Sequence, residues 1–101
     1  MLITTLHSVE NHIIKKDLGI VISIATETVK AKIISRDFNK DPDELINLKN
    51  ILLTKVESQA KAMGANAVIN LDIETDYQAV SSLLIIRLTA AGTAVVLEES
   101  V

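Results

Sequence analysis

The chain contains no cysteine and no tryptophan, a single proline, three glycines and only two aromatic residues, Phe38 and Tyr77. Without thiols it can form no disulfide framework, no thiolate nucleophile and no Cys-based metal site, and a reducing compartment, the cytoplasm, is the expected location. Two aromatics cannot build the stacking platforms on which single-strand nucleic-acid binders depend. Basic residues are sparse too: 10 Lys and Arg against 13 Asp and Glu give a net charge of −3, and the densest basic groupings are Lys15-Lys16 and Lys30-Ala31-Lys32. Displacing counterions from a phosphate backbone takes several converging cations, so no nucleic-acid partner is expected. Wholly apolar runs such as Leu83 to Ile86 fall far short of the roughly 20 residues a membrane span requires, so no membrane partner is expected. The opening Met1 to Leu6 lacks the charged region and cleavage site of a signal peptide. Glycines at 19, 64 and 92 are too scattered to cradle a phosphate. No Ser-His-Asp set or Gly-flanked serine is visible, so no enzyme of ordinary kind is expected.

What the chain does have is aliphatic bulk. Apolar residues make up 49% of its 101 residues, with a mean hydropathy of +0.35. That length implies one domain, 1–101. A domain of this size buries only about 60–70% of the surface its unfolded chain exposes, so a surplus of Ile, Leu and Val points to an interface between subunits.

The patterning predicts strand, strand, helix, strand, strand. Residues 2–6 read as a short strand, and 7–12 as a polar turn before Ile13-Ile14. From Leu18 to about Ile34, Ile20, Ile22, Ile24, Thr26 and Thr28 alternate with Val21, Ser23, Ala25, Glu27 and Val29, which assigns the two sets to opposite faces. After a loop over Ser35 to Lys40, Asp41, Pro42 and Glu44 have the spacing of a capped helix start. Leu45, Leu48, Leu52, Val56, Ala60 and Met63 then recur every three or four residues, widened by Ile46 and Leu53, until Gly64 ends the helix. Ala67, Ile69, Leu71, Ile73, Thr75 and Tyr77 are expected to face inward, with Val68, Asn70, Asp72, Glu74 and Asp76 outward. Gln78 to Ser82 reads as a connection and Leu83 to Glu98 as a last strand, bent or bulged near Ala90-Ala91-Gly92. The fold expected is α+β, a four-stranded, largely antiparallel sheet in the order β-β-α-β-β. One long helix covers one face; a second copy of the chain must cover the other.

The residues that follow one another at Ile3-Thr4-Thr5, Leu18-Gly19-Ile20-Val21, Arg36-Asp37, Ala60-Lys61-Ala62-Met63-Gly64-Ala65-Asn66-Ala67-Val68 and Gly92-Thr93-Ala94-Val95-Val96 resemble the YbjQ-like family of small bacterial proteins, which carry a heavy-metal-binding label. The resemblance covers most of the chain. It implies a dodecin-like subunit assembled into a ring, a pentamer, with no established reaction. The segment around residues 35–40 is shorter here than the Gly- and Arg-rich segment usual in the family.

Three groups could carry chemistry. His7, Glu10 and His12 could converge on one metal ion, since imidazole suits Zn, Ni or Cu; five-residue spacing in a turn fixes no geometry, however, and two exposed histidines beside a turn are the plainer reading. Asp72, Glu74 and Asp76 form a carboxylate ladder that could hold a hard cation, or simply the solvated face of a strand paired with Arg87. Arg36 and Asp37 could pair before the helix, whose N-terminus could hold an anion were Asp41, Asp43 and Glu44 not crowding the same end. The function expected is a non-enzymatic homo-oligomer that binds a metal ion or small ligand, with no organic cofactor. The alternative is a structural or protein-interaction module with no small ligand.

Overall fold

The structure, a computed structural model, describes residues 1–30 and 43–100, apart from the side chains of residues 29, 30, 43 and 44. Its elements in chain order are β1 (Leu2–Ile3), β2 (His12–Lys30), α1 (Asp43–Ala62), β3 (Ala67–Val80) and β4 (Leu83–Glu99). The strands form one mixed sheet in the order β1-β3-β4-β2. β4 runs antiparallel to both of its neighbours, and β1 is parallel to β3.

The expected stripe of α1 packs on this sheet. Leu45, Leu48, Leu52, Val56 and Ala60 are buried, with Leu53 and Met63 half-buried beside them, whereas Ile46 stays exposed. Against them the sheet presents Val21 and Ala25 from β2, Val68 and Leu71 from β3, and Ile86, Leu88, Ala90 and Ala94 from β4. Each of the larger side chains, fully buried, contributes about 1.5–3 kcal/mol. The helix ends as expected: Gly64 is left-handed (φ 88°), its N–H donates to the Lys61 carbonyl, and that of Ala65 donates to Ala60. These two bonds satisfy carbonyls that the last turn would leave unpaired. The Asp41-Pro42 start and the Ser35 to Lys40 loop lie outside the described residues.

Three local readings are corrected, each by a backbone irregularity. First, Ile13-Ile14 and the segment from Leu18 belong to one strand. β2 begins at His12 and absorbs two bulges, between Ile14 and Lys16 and between Asp17 and Gly19. At the second, Gly19 is left-handed (φ 105°) and its N–H bonds to the Asp17 carboxylate. Second, β3 does not keep one face inward. A bulge between Ile69 and Asp72, with Asn70 left-handed (φ 55°), flips the alternation. Before the bulge, Val68 faces the helix while Ala67 and Ile69 join Val95 on the opposite side; beyond it, Leu71 and Ile73 face the helix. The irregularity expected near Gly92 is real, but its extra residue sits in β3 opposite that glycine. Third, Gln78 to Val80 continue the strand, and the connection is the turn Ser81-Ser82, with Ser81 at φ 59°.

β1 is only two residues long, because the β3 bulge interrupts the regular ladder beyond it. Thr4 donates to Val68, Leu71 donates to Thr4, and Asn70 donates to Leu6, so residues 4–6 clamp the β3 bulge. The segment then passes to β2 on the far edge of the sheet, and Val9 covers Ala67, Ile69 and Val95. A small second core therefore lies on the face away from the helix, at one end only.

Candidate functional site

Beyond that end, no other described residue covers the face away from the helix. That face carries Ile20, Ile22, Ile24, Thr26 and Thr28 on β2, and, in register beside them, Thr93, Ala91, Thr89, Arg87 and Ile85 on β4. Asp72, Glu74, Asp76 and Gln78 complete it on β3. Ile20, Ile22 and Ile24 are 70%, 55% and 50% exposed, values that leave most of each side chain in water. The result is a ridge of isoleucine along one edge, a floor of small side chains, and a line of carboxylates along the other edge.

Asp76 and Arg87 face each other across β3 and β4 and form the expected ion pair, 3.2 Å between Arg87 Nη2 and Asp76 Oδ2. Asp72 and Glu74 lie opposite Ala91 and Thr89, so the ladder expected from sequence is two carboxylates and one ion pair. Thr26, Asp76, Tyr77, Gln78, Ile85 and Arg87 line an open depression of about 460 Å³.

The imidazoles sit at the other end. His7 is exposed in the crossing segment, and Glu10 is exposed in the turn before β2. His12 opens β2, half-buried, with Nδ1 2.8 Å from the Glu10 carbonyl oxygen. A carbonyl can only accept, so Nδ1 carries a hydrogen, and in the neutral imidazole the lone pair lies on Nε2. The contact uses the backbone of Glu10, not its carboxylate. Sequence reasoning missed Glu99, the residue directly opposite His12 in the sheet. His12 and Glu99 line one hollow of about 280 Å³ with Leu2, Asn66, Ala67 and Leu97. Asn66 is bonded at both ends of its amide: its Nδ2 donates to the Leu97 carbonyl and its Oδ1 accepts from the Leu97 N–H, at 2.9 and 2.7 Å. A pairing of residues so far apart in the chain leaves no signal in local sequence. The Arg36-Asp37 pair lies outside the described residues.

Among the described residues, no three His, Asp or Glu side chains converge to hold a metal ion, and no polar or charged side chain is buried. The donor chemistry is nonetheless definite. With no cysteine in the chain, the soft thiolate coordination that many heavy metals favour is closed to it, whereas imidazole and carboxylate suit borderline divalent cations.

A mixed four-stranded sheet in the order β1-β3-β4-β2 with one helix packed on one face defines a small α+β fold. The chain belongs to the YbjQ_1 family, described as "Putative heavy-metal-binding", which it matches over residues 1–98. Among curated proteins, it is 45% identical over 56 residues to a UPF0145 protein of Listeria welshimeri and 43% identical over 56 residues to one of Listeria monocytogenes. Each match takes in 55% of this chain and 50% of the relative, so the chain spans about half the length of the curated relatives it matches. A Pediococcus pentosaceus protein of unknown function from the DUF74 family has the same fold. Its crystal structure superposes with a TM-score of 0.76 at 17% identity, covering 97% of this chain and 98% of that one.

Proposed function

We propose that the chain acts without catalysis, as a closed homo-oligomer in which subunits cover one another's open sheet faces and hold a metal ion or small ligand where they meet. The observation that carries this reading is the continuous exposure of Ile20, Ile22 and Ile24 beside the small-residue floor of β4. Completing the burial of side chains that are 50–70% exposed contributes about half or more of the roughly 1.5–3 kcal/mol of a full burial for each, in sum a sizeable share of the stability of a small domain. Both long outer edges support it further. Among the described residues no strand pairs with the outer edge of β2, or with that of β3 beyond the clamp at Leu71, a condition that invites pairing with another chain. Lys55 Nζ donates to the Ile24 carbonyl at 3.1 Å, which occupies one acceptor on the first edge.

The family's description supports metal as the ligand, and the donor set narrows it to a borderline divalent cation. A pentameric ring follows from the family resemblance, and a cytoplasmic location from the lack of cysteine; no helix among the described residues is long and apolar enough to cross a membrane. Native mass spectrometry at low micromolar concentration tests the assembly. A closed oligomer of defined mass is expected, a folded monomer would defeat the reading, and a ring of another size would defeat only the pentamer.

A further inference from the structure

We infer that His12 and Glu99 form a two-donor half-site for a divalent cation of the zinc, nickel or copper class, at the end of the sheet where residues 4–11 cross it. This deepens the function proposed above and rests on its metal arm. Directly opposed residues of an antiparallel pair share a face, with Cβ atoms about 4.5–5.5 Å apart, and His12 and Glu99 are such a pair. Both line the 280 Å³ hollow, and among the described residues they form no ion pair with each other.

The imidazole is already oriented for coordination. Its Nδ1–H is spent on the Glu10 carbonyl, the arrangement by which protein backbones commonly hold a metal-binding histidine, fixing the tautomer and leaving Nε2 free to coordinate. Asn66, the other polar group of the hollow, is held in place by the two bonds of its amide to the Leu97 backbone. One neutral nitrogen and one carboxylate favour a borderline cation over calcium or magnesium, which prefer all-oxygen shells. Two donors leave at least two positions of a tetrahedral ion to water or to a second copy. β2 is the outermost strand of the sheet, so a neighbouring subunit can reach this end. His7 and Glu10, the other members of the triad suggested by sequence, do not line the hollow.

The test uses the full chain and Zn²⁺ alone. The chain has only two histidines, so nitrogen-15 spectra of the imidazoles resolve each one. Before metal, His12 is expected as the Nδ1–H tautomer; added Zn²⁺ should shift its Nε2 saturably, one ion per chain or per pair of chains, and leave His7 unmoved. Calorimetry should show Zn²⁺ affinity falling about tenfold or more in His12→Gln and in Glu99→Gln, the scale on which metal sites respond to loss of a supporting group, with His7→Gln unchanged. Should either variant misfold, the wild-type spectra decide alone. Absence of a saturable His12 shift overturns the inference, as does Zn²⁺ binding lost in Asp72→Asn or Glu74→Gln but kept in His12→Gln; the latter leaves the proposed function standing. A folded monomer that binds Zn²⁺ through His12 does the reverse, removing the assembly and keeping the half-site.

Discussion

Gly92 is the residue on which the sheet is least forgiving. A Cβ built there would sit 2.8 Å from Val68 Cγ1 and 3.2 Å from the Ile69 carbonyl oxygen, because the β3 bulge folds directly over it. Overpacking of this kind costs about 1–3 kcal/mol. Gly92→Ala should lower stability by that much in urea unfolding, and a double-mutant cycle with Val68→Ala should show favourable coupling, since removing Val68 Cγ1 relieves the closest contact. A loss in Gly92→Ala with no coupling to Val68 would place the cost elsewhere. A different kind of test falls on Glu57. Its carboxylate accepts from the Met1 α-ammonium at 3.3 Å, with Lys61 Nζ at 3.5 Å. The hydrogen bond to the α-ammonium, and then the charge of Lys61, hold its pKa below the ordinary value of 4.5. A carboxylate whose folded pKa is lowered adds stability that is present above its unfolded pKa and lost as pH falls through the folded one. Glu57→Gln should therefore melt below the wild type at neutral pH, and the gap should close as pH drops below about 4.5. A gap that persists unchanged into acid would mean that charge is not its cause.

At the scale of elements, the helix and the bulged strands obey different logic. α1 is held by a stripe whose spacing is set by its own sequence, and Leu52 lies at its centre, fully buried. Leu52→Ala should cost about 2–5 kcal/mol through the lost contacts and the cavity left behind, measured by thermal or urea unfolding at fixed protein concentration. A loss under about 1 kcal/mol would mean that the helix packs loosely on the sheet. β3 depends instead on groups outside itself. Its bulge is closed by Thr4 and Leu6 from the N-terminal segment and made possible by Gly92 on β4, and Asn66 stands in for a rung of the ladder by bonding both backbone groups of Leu97. The motif from Ala60 to Val68 thus has a physical content: one turn that ends a helix, then one amide that aligns a strand.

For the whole molecule, the helix-covered face is complete and the other is not. The chain measures 55 × 24 × 15 Å, and among the described residues no second layer covers the open face beyond the small core at Val9. If a second copy supplies that layer, the melting temperature should rise with protein concentration, as it must when association stabilises only the folded state. Ile22→Glu, which sets a charge in the middle of the isoleucine ridge, should abolish the oligomer seen by native mass spectrometry and with it the cooperative melt. A variant with unchanged mass and melting temperature would show that the ridge is not the contact.

How much of this was legible in advance follows from how local each determinant is. The helix, its stop at Gly64, the two faces of the strand from Ile20 to Thr28 and the Asp76-Arg87 pairing could all be read directly, because helical and strand periodicities depend on residues within a few positions of one another and opposite charges on adjacent strands attract wherever the register allows. The register itself was not local. The bulges at Leu18 and Asn70 each add one residue to a strand, and one residue is enough to turn every later side chain to the other face; nothing in β3 alone says that Ala67 and Ile69 look away from the helix while Leu71 looks toward it. The meeting of His12 with Glu99 depends on that same long antiparallel register and on the segment that crosses the sheet. Composition and periodicity therefore determined which elements form and that one helix would cover only one face of the sheet. Only the tertiary structure decided which side chains share a hollow, because that depends on bulges and on pairings between opposite ends of the chain.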